Sequence, residues 1–484
     1  MNQSKRVSFI SGLKAGVLFL TVLVWSACSS DTVGVEWVST TESNKWEGGE
    51  MLGVMPAALA GEIDVEVFTD QHLQEIKGFG ACFNELGWTS LSLLSEKDRG
   101  NIMDELFTPG EGANFTICRM PVGANDFSVN WYSYNETAGD FEMKDFSIAN
   151  DENTLIPFIN DAKKYNSDLK IWASPWCPPT WMKYNHHYAC RPDARVNDLK
   201  GDETLDLEGT NMFIQDDKYL TAYALYFGKF IDAYADKGIN IYGVAPQNEF
   251  NSCQNFPSCT WTAASLTNFV GKYLGPEMEK RSIEVMMGTM ERPNSALVDT
   301  MLTDPDAKKY VKSIGFQWAG KGAIEDLHKR YPEMTIYQTE QECGDGQNDW
   351  KGAVYSWNLM KHYLENGTNI YDYWNISLEK GGISRWGWAQ NSLVVVDPAA
   401  KTYEYSYEYY VMKHHSHFIL PGAKRVETSG SDNVMAFHNT DGSVIILVGN
   451  FENEGKEMKI KVGEKVIEPV LAANSFNTFK ITKS

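Results

Sequence analysis

From about residue 76 onward, short apolar runs alternate with longer amphipathic segments. Eight of the runs have the length and composition of buried strands: "GFGACF", "FTICRMPVG", "LKIWASPW", "IYGVAPQNEF", "EVMMGTME", "SIGFQWAG", "MTIYQTEQ" and "NIYDYWNIS". Helical segments such as "SLLSEKDRGNIMDELF", "DKYLTAYALYFGKFIDAYADKG" and "AVYSWNLMKHYLENG" lie between them, and the last two end in the glycine that commonly stops a helix. This alternation predicts a parallel sheet closed into a (β/α)8 TIM barrel over residues 76–417.

A doubly wound open sheet is the alternative for the same pattern. Such a sheet ordinarily carries a glycine-rich phosphate loop after its first strand. The run "GFGACF" lacks the third glycine of that loop. The pattern therefore favours the barrel.

The chain changes character near residue 418. The stretch "VMAFHNTDGSVIILVGNFENEGKEMKIKV" alternates short β-rich runs with "TDG" and "NEG" turns, which is typical of antiparallel strands. Ahead of the barrel, "EIDVEVFTD" has the same pattern. We therefore expect an antiparallel β-sandwich built from residues 46–75 and 418–484 on the two flanks of the barrel.

The first 28 residues have the features of a targeting segment. A basic start is followed by the short apolar core "AGVLFLTVLVW" and then by "SAC". The segment resembles a bacterial lipoprotein signal, in which the cysteine, here Cys28, becomes the lipidated first residue. A plain signal peptide cut nearby is the alternative. In both cases we expect an exported protein, periplasmic or at the outer membrane or cell surface, with residues 29–45 as a polar tether and a lipid anchor as its contact with the membrane.

Composition narrows the classes of partner. The 484 residues include 64 acidic and 43 basic side chains, a formal net charge of -21, which repels nucleic acid and anionic lipid headgroups. The 15 tryptophans exceed what most chains carry, and some of them could stack on sugars. No P-loop, G-x-S-x-G or H-E-x-x-H motif occurs, and no cofactor or metal is expected.

Cysteine and histidine add little to the expected chemistry. Without Cys28, seven cysteines remain, and among them Cys253 and Cys259 look placed for a disulfide. The "KHHSH" run invites a metal, but His414 and His417 share a helix face without a carboxylate or thiol at ligand spacing. We expect these histidines to pack in the core or to cap a helix.

Polar and aromatic side chains collect at the carboxyl ends of the predicted strands, where a barrel of this kind places its active site. They are Arg119, Asp126, Trp176, Asn248, Glu249, Gln317, Trp318, Glu340 and Trp374. Carboxyls and amides hydrogen-bond sugar hydroxyls, and indole rings offer a flat apolar face to a sugar ring. The set therefore predicts a site for a neutral carbohydrate.

Cleavage of a glycosidic bond usually takes two carboxyl groups, one that protonates the leaving oxygen and one that attacks or activates water. Glu249 ends the fourth predicted strand and Glu340 the seventh. A single glutamate at a strand end is more often a loop cap or ion-pair partner, so the hypothesis depends on the pair. If the two are about 5 to 5.5 Å apart, the ionised one attacks and configuration is retained. We expect ionised Glu340 to raise the pKa of Glu249 and keep it protonated. Glu342 is a nearby competitor, but its spacing from the strand favours Glu340.

The same residues lie in stretches that resemble glycoside hydrolase family 30, the family of acid β-glucosidase (glucosylceramidase) and of microbial β-1,6-glucanases. The matching stretches cover nearly everything after the tether: "GFGACFNE", "TICRMPVGANDFS", "KIWASPWCPPTWMK", "APQNEF", "IYQTEQECG", "YWNISLEKGG", "NSLVVVD" and "LPGAKRV". The resemblance implies a (β/α)8 barrel with a β-sandwich from both flanks. It also implies Glu249 as the acid/base and Glu340 as the nucleophile. Further residues of the family's sugar site fall on Arg119, Asp126, Trp176, Asn248, Trp374 and Asn391.

Two departures from acid β-glucosidase bear on the substrate. This chain has Phe250 where acid β-glucosidase has proline, and Gln317, Trp318 and Ala319 where it has His-Trp-Tyr. Together with "GISRWGWAQNSLVVVD", they favour the β-1,6-glucanase branch over glucosylceramide. The sequence thus predicts a retaining hydrolase of β-glucosidic linkages, most simply β-1,6-glucan. A glucosylceramidase or xylan hydrolase of the same family, and a surface lipoprotein that binds glycan without cleaving it, are the alternatives.

Overall fold

The computed structural model describes residues 34–49 and 52–482, and this part of the chain begins with strands. They are β1 (Gly34–Thr40), β2 (Glu47–Gly48), β3 (Val54–Pro56) and β4 (Val65–Glu75). β1 lies antiparallel to the last strand, and the Trp37 Nε1 donates to the Asn477 Oδ1 over 3.2 Å. The tether predicted for residues 29–45 is therefore wrong from residue 34, because the alternating "VEWVST" buries Val38 and Thr40 in a sheet. The predicted signal peptide and Cys28 lie outside the described residues.

The eight apolar runs form the eight predicted strands. They are β5 (Gly78–Cys82), β6 (Ile117–Pro121), β7 (Lys170–Ser174), β8 (Ile241–Val244), β9 (Glu284–Met290), β10 (Val311–Gln317), β11 (Thr335–Glu340) and β12 (Ile370–Asn375). Each pairs in parallel with the next, and β12 returns to β5 to close the barrel. The strands are almost wholly buried, as expected when helices cover the outer face of a parallel barrel.

Helices follow the barrel strands and cover them. They are α1 (Glu85–Leu91), α2 (Glu96–Phe107), α3 (Leu155–Lys163), α4 (Asp217–Asp236), α5 (Ala263–Phe269), α6 (Gly275–Glu279), α7 (Ser295–Leu302), α8 (Pro305–Lys308), α9 (Ile324–Arg330), α10 (Trp350–Glu365) and α11 (Tyr407–Ser416). Ser95 caps α2 by accepting from the Asp98 N–H over 3.1 Å. Gly238 and Gly367 follow α4 and α10 with φ of 78° and 97°, a conformation that glycine adopts at little cost.

The C-terminal part of the chain completes the sandwich. A small sheet of β13 (Ser377–Glu379), β14 (Val394–Asp397) and β15 (Thr402–Tyr405) precedes α11. Then come β16 (Lys424–Ser429), β17 (Val434–His438), β18 (Val444–Asn450), β19 (Lys456–Glu457), β20 (Ile460–Val462), β21 (Lys465–Ile467), β22 (Val470–Leu471) and β23 (Ser475–Thr482). Strands from both flanks join in the order β2-β1-β23-β18-β17-β16-β4-β20-β21-β3, around an apolar core of their own. The predicted fold, a barrel with an attached sandwich, is confirmed.

The histidines of "KHHSH" join the barrel to the sandwich. His414 is fully buried, and its two ring nitrogens contact the Thr478 hydroxyl at 2.7 Å and the Thr40 hydroxyl at 2.9 Å. His415 is equally buried, with its Nδ1 2.8 Å from the Val411 carbonyl. Both ring nitrogens of His414 are therefore occupied, whereas the His415 Nε2 is buried without a hydrogen-bond partner among the described residues.

Within the described ranges, every cysteine is a free thiol. Burial and a hydrogen bond to Cys190 both act on the Cys253 thiol, the hydrogen bond being the larger cause of its raised pKa. Cys253 and Cys259 are both unpaired thiols, so the disulfide for which their spacing looked suitable is not formed in this structure. Across the same ranges, no cluster of three metal-binding side chains occurs, and no helix is long and apolar enough to cross a bilayer.

Candidate active site

A cavity of about 450 Å³ opens at the carboxyl ends of the barrel strands. Its walls are Asp126, Trp176, Asn248, Glu249, Ser252, Gln254, Phe256, Glu291, Arg292, Trp318, Ala319, Glu340, Trp388 and Gln390. Six of the residues predicted from strand ends are among them, contributed by loops after five different strands. The barrel therefore brings together side chains that are far apart in sequence, as the strand-end rule predicts.

Glu340, the last residue of β11, is held by a buried cation. The Arg119 Nη1 donates to the Glu340 Oε2 over 3.0 Å, and Arg119 is fully buried. The Arg119 Nη2 also donates to the Asn248 Oδ1 over 2.7 Å and to the Ser174 hydroxyl over 2.9 Å. Arg119 does not line the cavity. It fixes the carboxylate of Glu340 and the amide of Asn248 from behind.

Aromatic rings surround this guanidinium. Its central carbon lies 4.5 Å from the ring of Trp176, 4.9 Å from that of Trp172 and 5.3 Å from that of Trp374. Such rings stabilise a desolvated cation through their electron-rich faces. They offset part of the cost of burying a charge beneath the site.

The amide of Gln317, the last residue of β10, connects the two glutamates. Its Nε2 lies 2.9 Å from the Glu249 Oε1 and 3.2 Å from the Glu340 Oε2. Those two carboxyl oxygens are therefore at most about 6 Å apart, less than the span of roughly 6.5–9.5 Å that an inverting pair needs. Like Arg119, Gln317 is fully buried and supports the cavity from below.

Burial is the main electrostatic influence on both glutamates. It raises the pKa of Glu249, and a hydrogen bond from Gln317 is the largest opposing effect. It also raises the pKa of Glu340 to about 7, opposed first by the Arg119 guanidinium and reinforced by the charge of Glu249. The expectation that Glu340 by itself raises the pKa of Glu249 is therefore corrected, because desolvation outweighs the mutual repulsion.

The backbone is strained at two cavity residues. Glu249 and Trp318 have φ of 45° and 48°, values that side chains other than glycine, asparagine and aspartate seldom adopt. The strain is compensated by hydrogen bonds: the Glu249 N–H donates to the Thr289 hydroxyl over 3.0 Å, and the Trp318 indole donates to the Glu340 Oε1 over 3.0 Å. Strain held in this way is common where a site must aim a side chain.

Asp126 and Trp176 stand where the sequence predicts them. Asp126 is 6% exposed, and its Oδ1 has no hydrogen-bond partner among the described residues. Burial, followed by the charge of Glu340, raises its pKa well above the usual range. The ring of Trp176 borders the cavity and is stacked on Trp374 at 5.4 Å. A free carboxyl oxygen beside an indole is suited to a sugar hydroxyl and its ring.

The sugar contacts predicted for Arg119 and Gln317 are corrected, because both side chains lie beneath the cavity wall, and two more predicted contacts also lie elsewhere. Trp374 is fully buried behind Trp176 and does not line the cavity. Asn391 also stands back from it: its Oδ1 accepts from the N–H groups of Gly346 and Asn348, over 2.8 and 3.1 Å, in the loop after β11. Both predictions of direct contact are corrected, because the family position does not say which way a side chain points. Gln390, the neighbour of Asn391, lines the cavity instead.

The competitor Glu342 is already paired. The Lys321 Nζ and the Tyr355 hydroxyl both donate to its carboxylate. It does not line the cavity. The spacing argument that preferred Glu340 therefore agrees with the geometry.

Sequence reasoning missed one side of the cavity. Ser252, Gln254 and Phe256 come from the loop after Glu249, and Trp388 comes from the segment before β14. Long loops set the positions of these residues, and such loops show no hydrophobic periodicity from which the positions could be predicted. Glu291 is different, because it ends the fifth predicted run, "EVMMGTME", and the strand-end rule would have selected it.

Comparison with known proteins identifies the family to which the chain belongs. Residues 76–419 match the model described as the glycosyl hydrolase family 30 TIM-barrel domain, and residues 422–479 match the family's beta sandwich domain. The chain is 29% identical over 417 residues to putative glucosylceramidase 1 of Caenorhabditis elegans, covering 81% of this chain and 76% of that protein. It is 25% identical over 413 residues to the endo-1,6-beta-D-glucanase of Neurospora crassa, covering 79% and 80%.

A solved structure agrees with the fold. The endo-beta1,6-glucanase BT3312 superposes with a TM-score of 0.79 at 23% identity, covering 93% of this chain and 99% of that one. Both domains of the family are thus present in their expected order along the chain. The protein belongs to glycosyl hydrolase family 30 and is a glycosidase.

Proposed function

We propose that the protein is a retaining β-glycoside hydrolase that cleaves β-1,6-glucan, with Glu340 as nucleophile and Glu249 as acid/base. The observation that carries the mechanism is the Gln317 amide, which lies within 3.2 Å of an oxygen of each carboxyl group. A pair this close leaves no room for a water between the sugar and the second carboxylate. The second carboxylate then attacks the sugar itself.

The hydrogen bonds assign the two roles. Glu340 has a guanidinium at 3.0 Å, which favours its ionised form. Glu249 has no cation within 4.0 Å in the described chain, and burial raises its pKa. When the pair holds one proton, we place that proton on Glu249, because the guanidinium at 3.0 Å stabilises the charge on Glu340 against the burial that raises the pKa of both groups. The two carboxyl groups titrate together, so their macroscopic pKa values describe the pair.

The reaction then follows in two balanced steps. In the first, an oxygen of Glu340 forms a bond to the anomeric carbon while the bond to the leaving oxygen breaks and Glu249 gives that oxygen its proton. In the second, Glu249 takes a proton from water, the water oxygen bonds to the anomeric carbon, and Glu340 departs as carboxylate. Each step inverts the anomeric centre, and the two together retain configuration. Asp126 and Asn248 stand where they can hold sugar hydroxyls during both steps.

The choice of β-1,6-glucan rests on the relatives and the cavity. One relative along most of the chain is the endo-1,6-beta-D-glucanase of Neurospora crassa, and the endo-beta1,6-glucanase BT3312 has the same fold. The cavity wall combines carboxyl, amide and guanidinium groups with four aromatic rings, which suits a chain of hydroxylated sugar rings. Glucosylceramide is the second candidate, because putative glucosylceramidase 1 is similar at 29% identity. Membership in a glycosidase family speaks against a protein that only binds glycan.

We also propose, from the sequence alone, that the enzyme meets its substrate outside the cytoplasm, anchored by a lipid on Cys28. Radiolabelled fatty acid should enter the wild-type protein made in a bacterium and should not enter the Cys28→Ala variant. Equal labelling of both proteins would contradict the anchor.

The test of substrate and mechanism uses four polymers or lipids and one variant. The wild-type enzyme should release gluco-oligosaccharides from pustulan-type β-1,6-glucan and leave laminarin, xylan and glucosylceramide largely intact. Proton NMR at early times should show the β-anomer of the new reducing end. Glu340→Gln should lose hydrolysis by about 10⁴-fold or more while still binding glucan. Product from xylan alone, or an initial α-anomer, would contradict the proposal.

A further inference from the structure

Besides Glu249, Glu340 and Asp126, a fourth carboxyl group, that of Glu291, lines the cavity and has no part in the two-step reaction. Glu291 follows β9 and is 2% exposed. Its Oε1 is buried and has no hydrogen-bond partner among the described residues, and the nearest cation, the Arg292 Nη1, is 4.0 Å away. A buried polar atom left without a partner destabilises the folded protein. This unpaired oxygen borders the cavity, where a bound ligand can supply the missing hydrogen bond.

Glu291 lies on the side of the acid/base. The Glu249 N–H donates to the hydroxyl of Thr289, two residues before Glu291. After burial, the charge of Glu249 is the largest cause of a raised pKa at Glu291, which reaches about 8. For Asp126, on the other wall, the corresponding neighbour is Glu340. Around the barrel, Glu291 follows β9, the neighbour of β8, whereas Asp126 follows β6 on the other side of β8. Glu291 and Asp126 therefore approach Glu249 from opposite sides.

That position has a chemical meaning. The acid/base protonates the oxygen of the leaving group, whereas the nucleophile contacts the anomeric carbon of the sugar that stays. A group that stands beside the acid/base rather than beside the nucleophile therefore borders the leaving group. Since its pKa is about 8, Glu291 is mostly a neutral acid at pH 7, so it carries an O–H donor as well as an acceptor.

The side chains around Glu291 are fixed by hydrogen bonds and ring contacts. Arg292 is fixed by its Nε, which lies 3.3 Å from the Glu208 carboxylate, and Glu208 also accepts from Asn251 over 2.9 Å. Phe256 and Trp388 also line the cavity, and the centroids of their rings are 5.0 Å apart. A neutral carboxyl group with an arginine on one side and aromatic rings on the other is a combination that suits a pyranose ring with several hydroxyls.

We propose that Glu291 is the specificity-determining residue of the leaving-group subsite, where its carboxyl group hydrogen-bonds a hydroxyl of the departing sugar. This inference rests on the proposed function and extends it. A hydroxylated leaving group gives the Glu291 Oε1 the partner it lacks. An apolar leaving group, such as a lipid chain, leaves that atom buried and unpaired. A site that hydrogen-bonds a substrate hydroxyl discriminates strongly against analogues without it.

The test uses three substrates with one glycone and different leaving groups: gentiotriose, methyl β-gentiobioside and 4-nitrophenyl β-gentiobioside. The leaving groups are glucose, methanol and nitrophenol. Glucose and methanol need the proton of Glu249, but only glucose offers hydroxyls to Glu291. The variants are Glu291→Leu, which removes the polar group, and Glu291→Gln, which keeps a donor and an acceptor at the same place.

We expect Glu291→Leu to lower kcat/KM for gentiotriose by about 10- to 100-fold and to change it by less than about threefold for the methyl and nitrophenyl substrates. Glu291→Gln should stay within about fivefold of the wild type on all three. Thermal unfolding of each variant checks that it folds. If Glu291→Leu does not fold, Glu291→Asp, which withdraws the carboxyl group by one methylene, should show the same selective loss on gentiotriose.

Three outcomes separate the possibilities. Equal losses on gentiotriose and the methyl substrate would mean that Glu291 acts by positioning or tuning Glu249, and this would overturn the proposal. Unchanged kinetics on all three would overturn it as well. A wild-type enzyme that hydrolyses none of the three, and no β-1,6-glucan, would instead overturn the proposed function. In that case, the same leaving-group series on the glycone that it does accept tests Glu291 independently.

Discussion

Arg119 and Glu340 form a buried ion pair at the bottom of the cavity, with the guanidinium Nη1 3.0 Å from the carboxylate Oε2. The cation comes from β6 and the anion from β11, which are on different sides of the barrel. A pair of this kind places a negative charge in a dry site without leaving it uncompensated. In the mechanism that we propose, this ion pair keeps the Glu340 carboxylate ionised for its attack on the sugar.

Removal of the cation should shift the pH profile of the enzyme. Arg119 lowers the pKa of Glu340, so Arg119→Met should raise it, and the nucleophile will then be protonated at pH values where the wild type is ionised. The acid limb of kcat/KM should therefore move to higher pH, with a loss of about 100-fold or more at neutral pH. Steady-state kinetics over the pH range measures both effects.

Arg119→Lys is the matched control, because it keeps the charge and loses the forked geometry. We expect it to hold the acid limb nearer to that of the wild type than the methionine variant does. An acid limb that stays in place in Arg119→Met would contradict the role given to this ion pair.

Gln317 should control the basic limb of the pH profile of kcat/KM. Its amide donates to Glu249 and lowers the pKa of that carboxyl group, so Gln317→Leu should raise it. Glu249 would then stay protonated to higher pH, and the basic limb of kcat/KM should move upward, with kcat/KM about 10-fold lower because the pair is less well positioned. A basic limb that moves to lower pH would contradict this assignment.

Asn391 and Gln390 make a matched pair of neighbours with different expected effects. Asn391→Ala leaves the N–H groups of Gly346 and Asn348 without their acceptor, which should lower the free energy of unfolding by about 1–3 kcal/mol. Gln390→Ala removes a cavity wall and should raise KM by several-fold with a smaller change in stability. Denaturant unfolding and steady-state kinetics on both variants separate the two roles. An unchanged stability of Asn391→Ala would show that this asparagine acts on the substrate after all.

His415 should make the fold sensitive to acid. Burial lowers its pKa from 6.5 to about 4, so the unfolded chain takes up a proton below pH 6.5 that the folded chain refuses. Stability should therefore be lost as the pH falls from about 6.5 to 4, by up to roughly 1.4 kcal/mol per pH unit from this one group. Denaturant unfolding at several pH values measures the slope. His415→Leu should flatten it, and an unchanged slope in that variant would contradict the assignment.

Much of the fold could be predicted because local patterns carry it. The run "LKIWASPW" is long enough for one buried strand, and Gly238 stops α4 because a left-handed turn costs glycine little. The same applies to Glu340, which ends β11, and to Glu249, which lies in the short segment after β8, since the barrel fixes where strand ends meet. The strand Gly34–Thr40 could not be predicted as part of the sandwich, because its partner lies 440 residues away at the position of Trp37.

The sequence by itself determined the order of strands and helices and the set of polar residues at strand ends. Both depend on spacing along a short stretch, where the chain geometry leaves few choices. Only the tertiary structure decided which of those side chains face the cavity. It turned Trp374 and Asn391 away and brought in Glu291, because side-chain direction depends on packing against residues from distant loops. It also decided the electrostatics, since burial of Glu249 and Glu340 is a property of the closed barrel and of no single segment.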